Sequence, residues 1–178
     1  MKKILLALFI IFLIILSGCA RTVTQKPKGF LGIEIKFYNP LVLKKEETYY
    51  ALVIALNKST PVSEESSTWQ YFILYDGYNQ QFKWGTEGDL KSLQDFSFYG
   101  NVSESYDIFK FKIPLNIFGG ILNTLYIGVF YFEFDPYSFE LLGSSWGYVI
   151  PQPLDLSIYP FEDLYSSENI ESLRVWTE

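Results

Sequence analysis

Thr124-Leu125-Tyr126-Ile127-Gly128-Val129-Phe130-Tyr131-Phe132-Glu133-Phe134 alternates between two kinds of apolar residue. The odd positions Leu125, Ile127 and Val129 are aliphatic; the even positions Tyr126, Phe130, Phe132 and Phe134 are aromatic, with Gly128 as a gap. Successive side chains of a strand point to opposite faces. Both faces of this strand are therefore apolar, the mark of a central strand covered on both sides. A two-sheet sandwich covers only one face of each strand. The second face needs a further cover: a loop, the C-terminal tail, a partner or a ligand.

Upstream, the same period-2 signal repeats. Ile33, Ile35 and Phe37 alternate with Glu34 and Lys36. Thr48–Leu56 places Tyr50, Leu52, Ile54 and Leu56 on one face. Its other face, Tyr49, Ala51, Val53 and Ala55, is small enough for aromatic rings to lie over it. Trp69–Tyr75, the turn Asp76-Gly77 and Gln80–Trp84 form a hairpin. A strand follows around Leu93–Tyr99. In Ile108–Ile113, Phe109, Phe111 and Ile113 point in, and Lys110 and Lys112 point out. Leu115–Phe118 reads as one helical turn closed by Gly119-Gly120. Trp146–Ile150 and Leu154–Ile158 are two further strands. The end of the chain is ambiguous: Ser166 caps a short helix containing Ile170 and Leu173, or Ser172–Trp176 is a strand. About eight or nine short strands with almost no helical period predict an all-β fold, an antiparallel β-sandwich of jelly-roll or immunoglobulin-like type. The sandwich is expected over residues 30–160, with 161–178 as a C-terminal tail packed on it.

The N-terminus has a different logic. Lys2 and Lys3 precede the apolar run Ile4–Leu16, which is followed by Ser17-Gly18-Cys19. A positive region, a short apolar region and small residues are the parts of a secretory signal peptide, and the run is shorter than a membrane-crossing helix needs. Leu16-Ser17-Gly18-Cys19 closely resembles the lipobox of bacterial lipoproteins. The resemblance implies cleavage after residue 18 and diacylglyceryl and N-acyl lipid on Cys19. It further implies an exported protein anchored to the cell membrane or outer membrane, with residues 19–29 as a tether. Cys19 is the sole cysteine, so no disulfide competes for it.

Composition narrows the function classes. Net charge is −6 over 178 residues and becomes −8 without Lys2 and Lys3. An acidic chain without basic clusters is a poor partner for nucleic acid. With no histidine, the commonest general base, zinc ligand and nucleophilic triad are missing. No phosphate loop, nucleophile elbow or zinc spacing is present. The expectation is a binding protein rather than an enzyme, with no cofactor beyond the lipid, no catalytic set and no metal site; the remaining enzymatic alternative is a carboxylate hydrolase, which would need two acids facing each other across a groove. The Gly-rich turn Gly85–Asp89 offers Glu87 and Asp89 to a hard cation but lacks a full loop motif.

Aromatic residues make up 19% of the chain. Trp69, Trp84, Tyr126, Phe130, Phe132 and Trp146 are the candidate platform for sugar rings or apolar ligands, since an aromatic face offers broad contact area. The acidic C-terminal residues Asp155, Glu162, Asp163, Glu168 and Glu171 are candidates to meet a basic partner. The strand entering Ile113-Pro114-Leu115 and the strand Tyr126–Asp135 with its acidic turn resemble DOMON-like carbohydrate-binding sandwiches. That resemblance implies a β-sandwich that binds carbohydrate. The methionine and histidine haem ligands of some such domains have no counterpart, and no site residue carries over. Two function classes follow: capture of carbohydrate or another small ligand, or an envelope structural or assembly module binding a protein partner. An open cleft with tryptophan and polar neighbours favours the first; a flat apolar patch or unpaired strand edge favours the second.

Overall fold

A computed structural model describes residues 29–119, 122–157 and 160–178. The signal segment 1–18, the lipidation site Cys19 and nearly all of the tether lie outside the described residues. The chain forms β1 (Phe30–Phe37), β2 (Lys44–Lys45), β3 (Thr48–Asn57), β4 (Tyr71–Asp76), β5 (Gln81–Thr86), β6 (Gln94–Asp95) and β7 (Tyr99–Val102). It continues with β8 (Ile108–Pro114), β9 (Thr124–Asp135), β10 (Glu140–Val149), β11 (Leu154–Asp155), β12 (Glu162–Tyr165) and β13 (Ile170–Thr177). Helical structure among the described residues is confined to 3-10 turns at Ser66–Thr68, Leu90–Ser92 and Leu115–Phe118.

The strands make two antiparallel sheets, and the protein is an all-β sandwich. One sheet runs β12-β13-β1-β8-β7. The other runs β10-β9-β3-β4-β5-β6, with β2 on β3 and β11 on β9. The strand count exceeds the expected eight or nine because the two-residue β2 is added, one expected strand becomes two, β6 and β7, and the C-terminus adds β12 and β13. The expected single strand near Leu93–Tyr99 is split: β6 ends on one sheet and β7 begins on the other.

Between the sheets lies the main core. Leu31, Ile33, Ile35, Phe109, Phe111, Leu173 and Val175 from one sheet meet Leu52, Ile54, Ile127 and Val129 from the other, all buried. A second core lies on the opposite face of β3 and β9, where Ala51, Val53 and Ala55 lie in one cluster with Trp69, Phe72, Phe130, Phe132 and Phe134. The cover that the two-faced β9 sequence demands is the 58–70 loop, which contributes Val62 and Trp69. Trp69 stacks on Phe130 at 6.0 Å and 14° and meets Phe72 at 5.5 Å. Asn57, Ser63 and Thr68 are the loop's internal wiring. Asn57 Oδ1 accepts from the backbone N–H of Ser59 and Thr60, Asn57 Nδ2 donates to the Thr68 carbonyl at 2.8 Å, and Trp69 Nε1 donates to the Ser63 carbonyl at 2.7 Å.

Residues 161–178 are not a tail. β13 sits between β1 and β12 inside its sheet, and Phe30 and Glu178 exchange backbone hydrogen bonds. The strand alternative for this segment holds and extends to Ile170. The helical alternative arose from the spacing of Ile170 and Leu173. Lys36 pairs with Ser172 and Phe37 with Ile170, so Glu171 is an extra, bulged residue. A bulge puts residues three apart on one face of a strand, which imitates a helical period.

The outer face of this sheet alternates charges. Lys36 pairs with Glu171 at 2.7 Å, Lys110 with Glu34 at 3.0 Å, and Arg174 with Glu162 at 2.7 Å. Exposed pairs of this kind contribute about 0–1 kcal/mol each. Two of the five acids set aside for a basic partner, Glu162 and Glu171, are thus engaged within the domain.

Candidate functional site: an aromatic cleft at one end of the sandwich

The six aromatic candidates do not form one surface. Trp69, Phe130 and Phe132 are 1%, 1% and 5% exposed and belong to the second core. A sugar cannot reach a ring sealed under a loop, so these three are packing residues in this structure. Tyr126 packs at the margin of the same core, opposite Asn57. Trp84 stands on β5 against Phe98 at 5.7 Å, beside the crossing from β6 to β7. Trp146 alone of the six lines the cleft described next.

That cleft measures about 300 Å³ and opens where β1 ends and β3 begins. Its aromatic wall is a continuous stack. Tyr50 and Tyr131 lie 5.1 Å apart at 11°, and Tyr131 and Trp146 lie 5.7 Å apart at 23°. Phe37 meets Trp146 edge-on at 5.7 Å. Each ring is there for a local reason. Tyr50 continues the inner-face row Leu52, Ile54, Leu56 of β3 to the mouth of the core. Tyr131 does the same for the row Leu125, Ile127, Val129 of β9. A tyrosine at the end of such a row keeps its ring in apolar surroundings and its hydroxyl near a polar partner. The Tyr131 hydroxyl donates to the Val42 carbonyl and so ties the 39–42 segment to the stack. Burial, with the neighbouring Tyr50, holds the Tyr131 phenol well above its ordinary value, so it is a neutral donor.

Facing the stack are Asn39, Lys45, Ser145 and Asn169. Among the described residues, none of these four side chains hydrogen-bonds to another protein group or enters an ion pair. The lining contains no carboxylate. Trp146 reaches this position from the edge strand β10, whose ladder to β9 is bulged between Ser144 and Trp146. Bulges re-aim side chains, and this one falls at the tryptophan that faces the opening.

Sequence reasoning missed Tyr50, Tyr131, Lys45, Asn39, Ser145 and Asn169 as a set. A signal existed for the two tyrosines: both inner-face rows change from aliphatic to tyrosine toward the same end of the sheet, one inner-face step apart, since Tyr131 pairs with Leu52 and Tyr50 with Glu133. The polar residues come from three distant segments, and only the fold joins them.

Elsewhere, Glu87 and Asp89 stand in their expected turn. The Asp89 carboxylate caps the following 3-10 turn by accepting from the Lys91 N–H at 2.9 Å. Among the described residues, no group of three or more acids, histidines or cysteines is placed to hold a metal. Comparison with protein-family models, with curated proteins and with solved structures returns no match.

Proposed function

We propose that this is an exported lipoprotein, anchored to a membrane through lipid on Cys19, whose sandwich domain captures a carbohydrate or another small ligand in the aromatic cleft. One observation carries the ligand reading: four polar side chains without internal partners converge on a stacked aromatic wall. Asn57, Ser63 and Thr68 bond within the 57–70 loop; the four in the cleft have no protein partner among the described residues. Broad apolar contact with a few convergent polar groups is the ordinary anatomy of a small-ligand site. The reading is of binding rather than hydrolysis, because a glycosidase needs two carboxylates and the cleft lining supplies none.

The protein-partner alternative has weaker support. It would use an exposed aromatic patch, of which Tyr78 and Tyr137 at 5.8 Å are a small instance, or an open strand edge, and the long edge strand β10 carries two irregularities in its pairing, at Leu141/Gly143 and Ser144/Trp146. Bulged edges resist strand addition.

The test is calorimetric titration of the mature lipoprotein in polyoxyethylene detergent against a panel of soluble oligosaccharides. Binding of at least one class, weakened about tenfold or more by Trp146→Ala as expected for loss of an aromatic anchor, supports the reading. Absence of heat across the panel sinks it, as does binding indifferent to Trp146.

A further inference from the structure

We propose that the ligand is a sugar bearing an anionic substituent, and that Lys45 reads that charge. This inference rests on the carbohydrate reading of the cleft and adds a specificity to it. The starting observation is a contrast within an acidic protein, of net charge −6. Two other clefts among the described residues, of about 600 Å³ and 360 Å³, are lined by Asp155 with Asp163 and by Glu64 with Glu140. In the first of these, a tyrosine hydroxyl is already occupied, with Tyr165 donating to Asp163 at 2.6 Å. The aromatic cleft alone among these three carries a cation and no acid.

Lys45 is also free to act. Lys36, Lys83, Lys110, Lys112 and Arg174 are each held by a carboxylate, and Lys58 donates to the Phe118 carbonyl. Lys45 has neither kind of partner among the described residues. Its neighbour Lys44 is committed elsewhere, lying 5.0 Å over the Tyr49 ring. Tyr49 and Tyr50 are successive residues of one strand and point to opposite faces; the β2 pairing Lys44 with Tyr49 and Lys45 with Thr48 sorts the two lysines in the same way. Glu46 and Glu47 follow in the turn, and neither lines the cleft.

Chemically, the cleft is rich in donors. An ammonium, two amides and hydroxyls face the opening. Neutral sugars present many hydroxyl donors, and a carboxylate is the strongest acceptor for them. A lining without carboxylates and with an ammonium suits a ligand that brings its own anion. Lysine acts there as a point charge and accepts a carboxylate or a phosphate alike.

The experiment uses the mature lipoprotein in polyoxyethylene micelles and three probes: a trigalacturonate, a sugar phosphate, and a neutral trisaccharide. At low salt an anionic probe should bind about tenfold or more tightly than the neutral one, in keeping with one charge-assisted hydrogen bond. The advantage should shrink as salt is raised. Lys45→Met should bring the anionic probe down to the neutral level, whereas Lys44→Met should change it less than twofold. Preference for trigalacturonate or for the sugar phosphate tells carboxylate from phosphate, and either supports the inference if Lys45 carries it. Equal binding of neutral and anionic probes, or equal loss from Lys44→Met and Lys45→Met, overturns the charge reading and leaves carbohydrate capture standing. Binding of none of the three together with a silent wider panel overturns both.

Discussion

Tyr75 and Tyr131 occupy equivalent stations, each an inner-face tyrosine paired with Leu52 of β3 from opposite sides, but they end differently. The Tyr131 ring is the middle layer of the cleft wall, and its hydroxyl holds the Val42 backbone. Tyr75 lies in the main core, edge-on to Phe82 at 4.9 Å and to Phe109 at 5.2 Å. Burial is the main cause that pushes the Tyr75 phenol up to about 12. The consequence for stability has a definite sign. Between the ordinary tyrosine value near 10 and about 12, the unfolded chain has lost the proton and the folded chain keeps it. The folded state binds more protons, so stability falls as pH rises through this window. It is fully present below about pH 10. The Tyr131 phenol is raised too and steepens the same decline. Urea unfolding followed from pH 8 to 11.5 should show a midpoint that holds steady and then drops, with a slope approaching about 1.4 kcal/mol per pH unit for each such tyrosine. Tyr75→Phe should flatten the drop. A midpoint indifferent to pH up to 11.5 would show that these phenols titrate as freely in the folded protein as in the unfolded one.

At the scale of elements, the 58–70 loop and β9 form one unit. Two glycines show how closely it is built. A Cβ on Gly128 would sit 2.6 Å from the Phe130 ring and 2.8 Å from Val62. Gly88 adopts φ +64°, and a Cβ there would run into the Ser66 backbone carbonyl. Trp69 is the keystone of the roof. Trp69→Ala should cost about 3–5 kcal/mol, the range for emptying a large buried aromatic site. Trp69→Phe keeps a ring on Phe130 but loses the indole hydrogen bond to Ser63, so it forfeits that bond, worth about 1 kcal/mol, on top of the smaller volume. Because the cleft lies on the other face of the sheet, ligand affinity of the folded fraction should stay within about twofold in either variant. Denaturant midpoints and calorimetry together check this; equal losses for Ala and Phe would mean that the roof depends on the hydrogen bond rather than on the stack.

Much of this unit was legible in the sequence. The double alternation of Thr124–Phe134 and the small face Ala51, Val53, Ala55 required a second cover and aromatic rings beneath it. What supplied the cover was not legible. The loop reads as polar because Asn57, Ser63 and Thr68 bond within it, Ser59, Thr60 and Ser67 are exposed, and only Val62 and Trp69 face the core. The same limit explains the platform. Buried Trp69, Phe130 and Phe132 and cleft-lining Trp146 look alike in composition, and exposure is decided by tertiary packing. The C-terminal segment was obscured by a single bulged residue, Glu171.

For the whole molecule, the direction of β1 sets the geometry. The strand enters at Phe30, beside Glu178 and Pro114, and leaves at Phe37, beside Trp146 and the cleft. Eight residues at about 3.3 Å each separate the two ends by about 25 Å. The described chain enters at one end of the sandwich and the cleft opens at the other, so we propose that an anchor at Cys19 leaves the cleft facing away from the bilayer. The two ends should then act independently. Cys19→Ser should move the protein from the detergent phase to the aqueous phase in phase partitioning, because a polypeptide without acyl chains lacks the apolar area that holds it to lipid. Ligand affinity should differ by less than about twofold between that variant and the lipidated protein reconstituted in vesicles. An unsubstituted protein that stays in the aqueous phase, or one whose detergent partitioning is unchanged by Cys19→Ser, would remove the anchor. One that partitions with lipid yet loses its ligand on vesicles would keep the anchor and reverse the orientation, placing the aromatic end against the membrane.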